Sequence, residues 1–63
     1  MSPDALQGEV LFEFVRVGNA VKVSAVHVPT DTEVCLVAPP RAGEAAMKQA
    51  ALRKLVWVLG RGR

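Results

Sequence analysis

Four side chains within one short stretch could do chemistry together: His27, Asp31, Glu33 and Cys35. Imidazole and thiolate are common zinc donors, and a structural zinc site takes about four ligands in a tetrahedron. His27 and Cys35 fall on neighbouring predicted strands, and Asp31 or Glu33 would have to complete the set. The stretch lacks the close-spaced donor pairs, CxxC or HExxH, that mark well-known metal sites. The plainer reading is a half-buried histidine and a small buried thiol, the usual condition of a lone cysteine. His27 and Glu33 can also face each other across the turn, as an ion pair rather than a catalytic dyad. Neither a metal nor a cofactor is expected.

Nucleophilic catalysis has no better support. A serine nucleophile needs a base within hydrogen-bond reach. Ser2 sits in the leader, and Ser24 lies mid-strand opposite Glu13. No GxxxxGK[ST] loop or GxGxxG turn is present to cradle a phosphate. No catalytic residue is assigned, and the chain reads as non-enzymatic.

The other available chemistry is binding to a polyanion. Arg41, Lys48, Arg53, Lys54, Arg61 and Arg63 crowd the last third of the chain, opposed only by Glu44. Cations near a helix C-terminus complement the helix dipole, which accounts for several of them without a ligand. Lys48 starts beside the apolar stripe and is expected to lay its stem over it, while Arg53 and Lys54 sit on the solvated face. The net charge of +2 is mild. Nucleic acid is therefore the alternative partner and not the favoured one.

The elements that position these groups follow from patterning. The runs Glu9 to Val17 and Ala20 to Val28 are rich in β-branched and aromatic residues, as strands are. Between them, Gly18-Asn19 is a two-residue loop whose leading glycine suits a type II′ hairpin turn. That turn pairs Val17 with Ala20, and hence Phe14 with Val23, Phe12 with Ala25 and Val10 with His27. These residues share one face, because side chains alternate along a strand. PTDTE is a turn in which Asp31 tolerates a left-handed backbone. A third strand covers roughly Thr32 to Ala38, with two registers open: Val34 and Leu36 inward, or Cys35 and Val37 inward. Pro39-Pro40 ends it. From Ala42 to Leu59 the pattern is helical. Ala45, Leu52, Leu55, Val56 and Leu59 fall on one stripe, flanked by Met47, Ala51 and Val58, and Gly60 is the expected stop. The predicted fold class is α+β: a three-stranded antiparallel β-meander followed by one C-terminal α-helix (βββα). Residues 1–7 form a flexible leader, 8–60 the single domain and 61–63 a basic tail.

One helix covers one face of a small sheet. The other face then shows Leu11, Val15, Val17, Val26 and Val28, with two apolar residues of the third strand, and such patches mark interfaces. Trp57 lies off the leucine stripe, in line with Ala46, Ala50 and Arg53. It is a candidate anchor, since tryptophan is enriched at interface hot spots; otherwise it caps a sheet edge or stands half exposed. A domain of 63 residues hides only about 60% of the surface its unfolded chain exposes. Domains of this size lean on disulfides, metals or partner chains. The single Cys35 rules out an internal disulfide, so a homodimer or a small protein partner is expected.

A lone cysteine and a beginning without a basic, apolar leader point to the cytoplasm. The apolar runs fall well short of the roughly 20 residues that span a bilayer, so no membrane partner is expected.

The order strand–strand–strand–helix, ending in AGEAAMKQAALRKLVWVL, resembles the C-terminal part of a double-stranded-RNA-binding domain over Gly8 to Leu59. Two departures stand out. MSPDALQ is too short for that family's preceding helix, and Ala42, Gly43, Glu44 and Ala45 stand where the family carries a lysine cluster. The GEV, FEF and VGNAVKV hairpin, the TEV strand and the Ala-rich helix are also similar to short uncharacterised bacterial proteins, a domain-of-unknown-function family. That resemblance implies a βββα layout and no assigned activity.

Overall fold

The computed structural model describes residues 8–61. The leader expected at 1–7 and the end of the basic tail, Arg63 included, lie outside the described residues. Within them, β1 (Val10–Val17), β2 (Ala20–His27) and β3 (Thr32–Ala38) precede a single helix, α1 (Glu44–Arg61). The strands form one antiparallel sheet in the order β1-β2-β3. The α+β, βββα architecture expected from the patterning is the one observed. Val17 lies opposite Ala20, Phe14 opposite Val23, Phe12 opposite Ala25 and Val10 opposite His27. Gly18 takes φ 60° while Asn19 stays at negative φ, as a type II′ turn requires.

The second connection settles the register of β3. Val28–Thr30 form a 3-10 turn closed by Asp31 at φ 53° and ψ 39°, a left-handed conformation that Asp visits more readily than most residues. His27 then lies opposite Thr32, Ala25 opposite Val34 and Val23 opposite Leu36. Val34 and Leu36 are the inward pair; Cys35 and Val37 point away. His27 is buried and helps to hold this turn. Its Nδ1 lies 2.8 Å from Thr30 Oγ1. The Thr30 hydroxyl donates to Thr32 Oγ1 at 2.9 Å, and Thr32 donates back to the Thr30 carbonyl at 3.4 Å.

The helix packs against β2 and β3. Val23, Ala25 and Val34 on the sheet meet Met47, Ala51 and Leu55 on α1. Four-residue spacing puts those three helical side chains on one face. The buried stripe is thus rotated from the expected one: Ala45 is exposed, Leu52 is half-buried, and Met47 and Ala51 are central rather than flanking. The reason is close approach. Ala51, Val23 and Ala25 are all 0% exposed, and a methyl-sized side chain on each partner lets the helix come down on the sheet there. The helix starts at Glu44, after a 3-10 turn at Pro40–Ala42 and Gly43 at φ 85°, rather than at Ala42. It also runs through Gly60 to Arg61 instead of stopping at the glycine. Interior glycine costs about 1 kcal/mol relative to alanine, and a last turn tolerates it.

Candidate interaction surface

Strand alternation builds the uncovered face in rows. Leu11, Val26 and Glu33 form the first, Glu13, Ser24 and Cys35 the second, and Val15, Lys22 and Val37 the third, with Val17 and Ala20 beyond. Leu11 is 50% exposed, Val15 45%, Val17 58% and Val37 71%. Val26 belongs to this face but is half-buried, because the central strand places it between Leu11 and Glu33. Val28 is exposed and sits just past the end of β2, where its N–H donates to the Glu9 carbonyl at 2.9 Å. Val37 joins the patch once the register of β3 is known. The middle row is polar, so the surface is two apolar ends separated by Glu13, Ser24 and Cys35.

Trp57 does not belong to this surface. It stands exposed on α1, on the other side of the sheet, with the Arg61 guanidinium 4.7 Å from its ring centroid. The expected convergence of His27 and Cys35 also fails. His27 lies on the helix-covered face, whereas Cys35 is exposed on the uncovered one. They lie three positions apart along adjacent strands, His27 opposite Thr32 and Cys35 opposite Ser24, and on opposite sides of the sheet. The expected buried thiol is thus corrected to an exposed one. Glu33 lies opposite Val26, not His27, so the pairing across the turn does not form. Among the described residues no group of three or more His, Cys, Asp or Glu is placed to hold a metal ion.

Of the basic residues on α1, Lys54 and Arg61 are seven positions apart and share one side of the helix, while Lys48 lies on another. Lys48 Nζ lies 5.7 Å from the Phe12 ring centroid on β1, the expected lie of its stem. Lys54 reaches the opposite edge of the sheet, where its Nζ donates to the Cys35 carbonyl at 2.7 Å. Arg61 is drawn onto Trp57. Arg41, in the 3-10 turn, and Arg53, on the helix, are exposed. No helix among the described residues is long and apolar enough to cross a membrane.

A family model described as a domain of unknown function (DUF6898) matches residues 7–62. The chain belongs to the DUF6898 family. No curated protein and no solved structure matches it.

The two edges of the DUF6898 sheet differ in a way the patterning did not reveal. Bonded and non-bonded residue pairs alternate along an antiparallel ladder. The Val28 N–H to Glu9 carbonyl bond sets the phase, so Val10, Phe12, Phe14 and Arg16 turn their own N–H and C=O groups outward from β1. On β3 the outward groups belong to Glu33, Cys35 and Val37. One of these, the Cys35 carbonyl, is the acceptor for Lys54. Lys54 is exposed, as the patterning has it, and it comes within reach of that carbonyl because α1 lies over β2 and β3. On the helix side of β1, Phe12 and Phe14 pack on the core yet remain partly exposed, because α1 sits over the other two strands.

Proposed function

We propose that this DUF6898 domain is a small, non-enzymatic protein-interaction module of the cytoplasm that self-associates through the part of the sheet its helix leaves open. The observation that carries the reading is the exposure of β1 on both sides. Leu11, Val15 and Val17 are 50%, 45% and 58% exposed on one face, and Phe12 and Phe14 are half-buried on the other. Apolar exposure of this kind on so small a core favours a partner chain. An exposed thiol suits a reducing compartment.

Nucleic-acid binding has less support, because Lys48 and Arg61 lie over the chain's own aromatic rings and Lys54 on its own Cys35 carbonyl. Phosphate recognition requires cations that act on one backbone together.

The test is molar mass by light scattering behind a sizing column, at low and high salt. The chain is 6.7 kDa. The expected result is a dimer mass that persists at high salt, since apolar contacts are not screened as charges are. A monomer at both salts, with RNA retarded in a gel at low salt, would transfer the function to the basic residues.

A further inference from the structure

We propose that two copies join edge to edge along β1, making one continuous antiparallel sheet with both helices on the same face. The inference rests on the self-association proposed above and names its joint and its register.

The first argument is the unequal treatment of the edges. An open strand edge is a template for another strand, and lysines and prolines are common guards against that. The β3 edge has both: Lys54 on the Cys35 carbonyl, and Pro39-Pro40 immediately after the strand. The β1 edge is longer, at eight residues, mostly apolar, and ends in the hairpin turn. One open edge and one guarded edge allow a closed pair and no further growth.

The second argument is self-complementarity. A twofold axis normal to the sheet makes the strands antiparallel and places residues of the same face opposite each other. With Phe14 on the axis, each Phe14 exchanges hydrogen bonds with Phe14 of the second copy. Arg16, whose Nε donates to the Gly18 carbonyl at 3.0 Å, then lies opposite Phe12 of the second copy, a cation beside the edge of a ring that carries Lys48 at 5.7 Å. Leu11 meets Val17, and Glu13 meets Val15. A shift that set Glu13 against its own copy would oppose like charges across the strands, which is destabilising. The same pairing closes the half-covered phenylalanines over one another. Face-to-face packing would instead bury Glu13, Lys22 and Glu33, and buried charge is costly unless paired.

The experiment combines light scattering with residue-resolved amide exchange on the full chain. Raising the concentration should protect the amides of Phe12, Phe14 and Arg16 and leave those of Glu33 and Val37 unchanged. Arg16→Glu should raise the dimer dissociation constant at least about tenfold. Arg16→Pro, which removes one outward N–H and the Arg16 Nε bond to the Gly18 carbonyl at 3.0 Å but no ladder bond within the sheet, should do the same. Val15→Lys, which would lie opposite Glu13, should leave the dimer intact. If Val15→Lys dissociates the dimer while both Arg16 variants leave it whole, the joint is the open face; self-association stands and the β1 joint is overturned. A monomer at high micromolar concentration overturns both.

Discussion

The two edge strands of this sheet belong to the same small domain and share a composition of valines and charges, yet they are finished differently. β3 has a helix beside it, a lysine on one of its outward carbonyls and a proline pair after its last residue. β1 has none of these, and its aromatic side chains are only half covered. The difference arises from where α1 lies, over β2 and β3 rather than over the middle of the sheet. Covering a sheet off centre guards one edge and leaves the other available.

The most severe way to break that contrast is to loosen the helix. Leu55 is 0% exposed, and Leu55→Ala should cost about 2–5 kcal/mol, read from the midpoint of chemical denaturation. Because Lys54 is its chain neighbour, the amides of β3 should then exchange as fast as those of β1. Gly18→Ala acts on the other side. At φ 60° an alanine is strained by about 1–2 kcal/mol, and the loss should appear chiefly as faster exchange in the β1–β2 hairpin. Lys54→Ala should cost about 1 kcal/mol or less in stability. Its sharper effect is on assembly: with the Cys35 carbonyl released, scattering should show species heavier than a dimer. If none forms, the bulk of α1 and not Lys54 guards β3. The smallest effect belongs to Arg61→Ala, worth about 0.5 kcal/mol. It should change the fluorescence of Trp57, the single tryptophan, and leave both edges as they are.

Much of this fold is legible in the sequence because its signals are local. Gly18-Asn19 alone sets the whole β1–β2 register, and the period change after Pro39-Pro40 announces a helix. The β3 register was not legible, since Thr32 to Ala38 is apolar on both parities; a left-handed Asp31 and the His27–Thr30–Thr32 hydrogen bonds decide it. The rotation of the helical stripe was missed for a related reason. Leucines advertise hydrophobicity, but the closest contact is made by Ala51, whose value is its smallness. The candidate surface divided likewise. Leu11, Val15 and Val17 were readable from strand alternation, whereas the opposite sides taken by His27 and Cys35, and the reach of Lys54, depend on tertiary geometry.

The bond that guards β3 joins residues 19 apart in the chain, while the hairpin that presents β1 closes over a two-residue loop between Val17 and Ala20. Short loops close faster than long ones, and contacts of longer sequence separation come later in folding. A refolding chain therefore passes through an interval in which its hairpin is formed, its helix has not docked, and both edges are open. In that interval the molecule has two sticky sides instead of one, so its refolding yield should fall as protein concentration rises, even where the finished protein stays in solution.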